Sequence, residues 1–181
     1  MLCFKQILLV VYKLQRVKFV NNKVQVNGNI QMKYNINDEF VDEVLKQTKT
    51  IALIGASLKE ERPSNLVMRN LMKRGYRVFP VNPGHEGRAI LGQKCFARLT
   101  DIPHQIDMVD VFRQSKAVPE IVEEAIKCKV KTLWLQLNIG NKAAEKKAHL
   151  NGIVVITNRC PNIEFRRQEG YTQNLEQIAG K

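Results

Sequence analysis

The stretch IALIGASLKEERPSN, residues 51–65, decides the fold. An apolar run ends on Gly55, small residues turn the chain, and Pro63 with Ser64 opens a helix. A buried strand passing into a helix has this form. The spacing departs from G-x-G-x-x-G, because Ser57 and Glu60 stand where the second and third glycines would be.

Working outward, the same alternation recurs. Asn37 caps a helix in DEFVDEVLKQT, with acids in its first turn and Phe40, Val41, Val44 and Leu45 on one face. After the helix NLVMRNLMKR, stopped by Gly75, come the strand YRVFPVN (76–82) and the turn PGHEG. A less regular stretch leads to the strand DMVDVFR (107–113), and Pro119 opens EIVEEAIKCK. TLWLQL (132–137), the helix NKAAEKKAHLN closed by Gly152, and IVVIT (153–157) complete the series. Short, doubly apolar strands joined by amphipathic helices predict a parallel sheet covered on both faces. The right-handed crossover makes it a Rossmann-like, doubly wound α/β domain, a three-layer αβα sandwich in one domain. After Glu164 the apolar periodicity weakens, and the tail (168–181) is expected to fray.

With 44% apolar and 25% charged residues, 181 residues suit one soluble domain. The net charge of +12 is unevenly spread. Residues 1–34 hold Lys5, Lys13, Arg16, Lys18, Lys23 and Lys33 and no acid, which leaves 23 basic against 17 acidic residues beyond them. This segment reads as a basic extension, with a strand or hairpin in VKFVNNKVQVNGNIQ and an alternative start at Met32. Its apolar run ILLVVY is too short to span a bilayer and makes a poor signal sequence. Four cysteines without C-x-x-C or a histidine at ligand spacing point to reduced thiols in a cytoplasmic setting, with no metal site.

Ligands of such sheets bind outside the carboxyl ends of the strands, at the switch point. At the first turn, unpaired N–H groups and the helix dipole favour phosphate. Gly55 lets a backbone approach, Ser57 and Ser64 can donate hydroxyls, and Lys59 and Arg62 add charge. A NAD site needs an acid at the end of the second strand. Here the strand ends Val81-Asn82-Pro83, and the first acid, Glu86, lies between His85 and Arg88. Neutral or basic groups there suit a phosphorylated ribose, so NADP and coenzyme A both qualify.

Four linked segments carry a resemblance: GASLKEERPSNLVMRNLMKRGYRVFPVNPG, DMVDVFRQSKAVPEIVEEAI, TLWLQLNIGN and VVITNRCPNIE. Together, over residues 37–167, they resemble the CoA-binding domain family of small YccU-like bacterial proteins, similar in fold to the CoA-binding domain of the succinyl-CoA synthetase alpha subunit. The resemblance implies a single Rossmann domain that binds CoA or acyl-CoA without a ligase's other domains. It implies that Gly55, Ala56 and Ser57 face the pyrophosphate and that Asn82 and Pro83 lie beside the adenosine. Val111, Phe112 and Arg113 would line the crevice, with Leu135, Gln136 and Leu137 under the continuing ligand. The synthetase loop after the second strand carries lysine where this chain reads Gly84-His85-Glu86-Gly87-Arg88.

No catalytic constellation emerges. Cys160, beside Arg159, could be an activated thiolate, but a cysteine after a buried strand is more often packing. His85, His104 and His149 lack triad partners, and His149 on its Lys-rich helix is expected to be solvated. Trp134 is expected in the core rather than as an adenine platform. Asp110 reads as buried, fixing a turn or Arg113 rather than acting as a base. The leading reading is a non-catalytic CoA-binding protein, compatible with a homodimer. A NADP-dependent oxidoreductase or nucleotide-sensing regulator is the alternative, and the basic segment lacks a nucleic-acid signature.

Overall fold

The computed structural model describes residues 17–20, 23–26 and 36–179, in two compact units, Met1–Asn35 and Ile36–Lys181. In the first, β1 (Val17–Val20) and β2 (Lys23–Val26) pair antiparallel, with Val17 opposite Val26. The apolar run at 7–12 and Met32 lie outside the described residues.

The second unit runs α1 (Asp38–Gln47), β3 (Thr50–Ile54), α2 (Pro63–Lys73), β4 (Arg77–Val81) and a small hairpin of β5 (Ala89–Ile90) and β6 (Gln93–Lys94). It continues with β7 (Met108–Val111), α3 (Val118–Lys127), β8 (Thr132–Leu135), α4 (Lys142–Leu150), β9 (Val154–Ile156) and α5 (Pro161–Ala179). Five strands form an all-parallel sheet in the order β4-β3-β7-β8-β9. Strand alternation divides the core. Ile51, Leu53, Met108 and Trp134 face α1, α2 and α5, whereas Ala52, Val109, Leu133 and Leu135 face α3 and α4. This is the Rossmann-like α/β fold that the alternating pattern implies.

Local chemistry accounts for the helix ends. Asn37 Oδ1 accepts from the Phe40 N–H at 3.0 Å. Gly75, at φ +88°, ends α2, and the Tyr76 N–H turns back to the Leu71 carbonyl at 3.2 Å. Asn141 caps α4 through the Ala144 N–H at 3.0 Å.

The tail departs from expectation, because helix continues to Ala179 instead of fraying after Glu164. Phe165 is buried against the α1/α2 face. Arg159 bonds both Asp38 (2.8 Å) and Glu164 (3.0 Å), and Arg167 pairs with Asp42. These ties to α1 lie far apart in sequence, so local periodicity does not reveal them. Among the described residues no helix is long and apolar enough to cross a membrane.

Candidate ligand crevice at the carboxyl edge of the sheet

β3 and β7 are neighbours, but α2 leaves on one face of the sheet and α3 on the other. Their carboxyl ends therefore part and leave a crevice. Gly55 sits at its mouth with φ +90°. A Cβ there would lie 3.0 Å from the Phe112 carbonyl oxygen and 3.2 Å from Arg113 Cδ. Only glycine accepts both the conformation and the approach. Thus the sequence-predicted Gly55, Phe112 and Arg113 do come together, and what approaches the glycine is the exit of β7.

The turn is tied down by backbone carbonyls. The Gly55 and Ala56 N–H groups both donate to the Val81 carbonyl, at 2.9 and 3.3 Å. These two amides are thus engaged within the fold, and the chain runs on to the start of α2. There the N-cap Arg62 makes no side-chain cap bond, and the first turn carries no acid. Lys59 and Arg62 are exposed and enter no ion pair among the described residues, whereas nearby Glu60 is paired with Arg69 at 3.2 Å. A helix start without a side-chain cap, preceded by two cations outside any ion pair, is chemically suited to an anion.

Two asparagines hold the turn in shape. Asn82 Nδ2 donates to the Ala56 carbonyl (2.8 Å), while its Oδ1 accepts from the Gly84 N–H (3.0 Å). Asn65 Nδ2 donates to the Ser57 carbonyl (2.9 Å), and Ser57 Oγ accepts from the Lys59 N–H (3.1 Å). Asn65 was not singled out in the sequence. Its signal is an asparagine in the first turn of a helix, where that residue tends to bond backbone rather than support helix. Pro83 is exposed at the start of a short 3-10 turn, and Ser64 is buried.

Farther along the edge, Asp110 has no exposed surface. Its Oδ1 accepts from Gln136 Nε2 at 2.7 Å, and its Oδ2 is buried without a partner. Burial pushes its carboxyl up to about 7, against the opposing pull of Gln136 and the Val111 N–H. The expected tie to Arg113 is absent among these contacts; the partner is Gln136, two strand positions beyond Trp134. Trp134 is core, fully buried, with Nε1 donating to the Arg159 carbonyl at 2.8 Å. Cys160 follows at the start of α5, half-buried, and burial pushes its thiol up while the Asn162 and Ile163 N–H groups pull it back. Such a thiol stays protonated near neutrality.

Leu135 is fully buried on the α3/α4 side, because strand alternation turns it away from Gln136. One expectation is corrected here. His149 is half-buried rather than solvated, and burial pulls its pKa down.

Comparison with known proteins agrees with this fold. A family model described as CoA binding domain matches residues 49–166. YneT of Bacillus subtilis is 32% identical over 120 residues, covering 66% of this chain and 87% of YneT. The ADP-forming acetate–CoA ligase I of Archaeoglobus fulgidus is 38% identical over 82 residues, 45% of this chain but only 12% of the ligase. The solved structure of a hypothetical protein from Pyrococcus horikoshii OT3 superposes with a TM-score of 0.70 at 42% identity, covering 76% of this chain and 98% of that one. With the family model spanning the whole sheet and its crevice, the chain belongs to the CoA-binding domain family.

Proposed function

We propose that the chain binds CoA or acyl-CoA as a non-catalytic ligand-binding domain. The observation that carries the reading is Asn82. It occupies the end of β4, where a dinucleotide site needs a carboxylate for the ribose hydroxyls, and both ends of its amide are bonded to backbone. The donor set fits CoA. The uncapped start of α2 with Lys59 and Arg62 suits the pyrophosphate, and Gly55, Ala56, Ser57 and Ser64 shape that turn. Phe112 and Arg113 form the facing wall, Asn82 and Pro83 border the adenosine end, and Gln136 lies toward the other. The family's ligase relatives, which are acetate–CoA ligases, support the ligand class without lending their chemistry, since the chain spans 12% of the Archaeoglobus ligase.

Calorimetric titration of the full chain with CoA, dephospho-CoA, NADP and NAD at two salt concentrations tests the proposal. Micromolar CoA binding that weakens without the 3′-phosphate and at higher salt is expected. Tighter binding of NADP, or no binding of CoA, rejects it.

A further inference from the structure

The ends of β7 and β8 meet above Trp134, and their contact is asymmetric. Asp110 is sealed from solvent, whereas Gln136 keeps 6% of its surface exposed. Of the bonded pair, only Gln136 can touch a ligand. An ionised carboxylate accepts hydrogen bonds and donates none, so it turns the NH2 end of the Gln136 amide inward. Gln136 Oε1 accepts no hydrogen bond among the described residues, and it is not among their buried unpaired atoms. It is left as an acceptor with accessible surface at the carboxyl edge.

The surroundings narrow what it accepts. A carbonyl oxygen repels phosphate, so the pyrophosphate belongs at the start of α2. Beside Gln136 stands Leu137, and Ile163 and Leu66 are also exposed apolar side chains on the first turns of α5 and α2. The exit of β4 is by contrast polar, with His85, Glu86 and Arg88. An exposed leucine adjoining one oriented acceptor suits an alkyl chain interrupted by amide N–H groups. From this juxtaposition we infer that Gln136 Oε1 receives an amide N–H of the thiol-bearing arm of CoA, with Asp110 as the positioning residue that fixes the amide's orientation. The inference rests on the CoA reading above and adds the residue that selects the arm.

The pair also carries a pH signature. Protonated Asp110 can donate to Oε1 and hold the amide the other way round, which presents the arm with an N–H instead of an acceptor. Beside it, β3 contributes Leu53, and β8 and its end contribute Trp134 and Gln136. The start of α5 contributes Cys160, whose thiol is pushed up by burial, with Arg166 acting on it. Asp110, near 7, is the member of this set that titrates around neutrality.

The experiment is titration of the full chain, unmodified and as Gln136→Leu and Asp110→Asn, with CoA and with adenosine 3′,5′-bisphosphate, which lacks the arm, from pH 6 to 8. Gln136→Leu is expected to weaken CoA about 3- to 10-fold and leave the bisphosphate unchanged. In the unmodified chain the CoA-to-bisphosphate affinity ratio should fall on acidification, and Asp110→Asn should flatten that profile. Equal loss for both ligands would mean that Gln136 reads the adenine, and it overturns the assignment. So do an unchanged ratio in Gln136→Leu and a flat ratio in the unmodified chain. Failure of the unmodified chain to bind CoA at all rejects the CoA reading itself and this inference with it.

Discussion

Two aspartates three residues apart show how differently the two edges of this sheet are built. Asp107, just before β7, accepts from the Lys49 and Thr50 N–H groups (3.0 and 3.1 Å), from Thr50 Oγ1 (3.0 Å) and from Lys131 Nζ (2.7 Å). Burial alone would raise its pKa, but Lys131 and the backbone donors outweigh it and hold the carboxyl at about 2. Three residues on, Asp110 has Gln136 on one oxygen, no partner on the other, and a carboxyl near 7. At the amino edge, Asp107 is bonded on both carboxylate oxygens and acts as scaffold. The carboxyl edge leaves an uncapped helix start, free cations and an oriented amide. Incomplete satisfaction collects where a ligand is expected to complete it.

The comparison can be broken most severely at Gly55. Gly55→Ala forces a left-handed conformation on a side chain that also meets the β7 carbonyl, and should cost roughly 3 kcal/mol in urea unfolding. A loss below about 1 kcal/mol would show that the two strand ends can part freely. Asp107→Asn comes next, at about 2 kcal/mol near neutrality. Its folded pKa lies below the unfolded 3.8, so the stability it lends is complete above 3.8 and disappears as pH falls through about 2. Melts of the two proteins should therefore converge in acid.

Asp110 should behave oppositely. Its folded pKa lies above 3.8, so its protonated form favours the fold at low pH, and this advantage is lost as pH rises through about 7. Asp110→Asn should gain stability over the unmodified chain between pH 5 and 8, by roughly 2 kcal/mol. Parallel pH profiles would show that Oδ2 is satisfied after all. The smallest effect is expected from Asn65→Ala, about 1 kcal/mol of stability, through a loosened turn at Ser57. Salt-dependent CoA affinity should fall with it, because the turn sets the spacing of Lys59 and Arg62.

Much of the fold was legible because it follows from short-range rules. Five apolar runs, the cap Asn37 and the stops Gly75 and Gly152 mark the elements, and alternation implies a doubly wound sheet. The site was legible only in outline. Gly55, Asn82, Phe112, Arg113 and Gln136 are at strand ends, which is a one-dimensional property. Leu135 and Gln136 adjoin in sequence yet point to opposite faces of the sheet, which a strand-end motif does not distinguish. Asn65 and the Asp110–Gln136 pair were missed because a polar residue's partner is chosen by proximity across strands, which no spacing along one strand encodes.

The sequence by itself determined the strand–helix order, the glycine at the first turn, the lack of an acid at the end of β4 and, through linked motifs, the family. Each depends on residues within a few positions of one another or on their collinear order. Only the tertiary structure decided which amides of the turn are already engaged by Val81, that helix continues past Glu164, and that Asp107 and Asp110 differ by about 5 in pKa. Those outcomes depend on burial and on donors brought together from distant parts of the chain, and both exist only once the sheet has closed over its core.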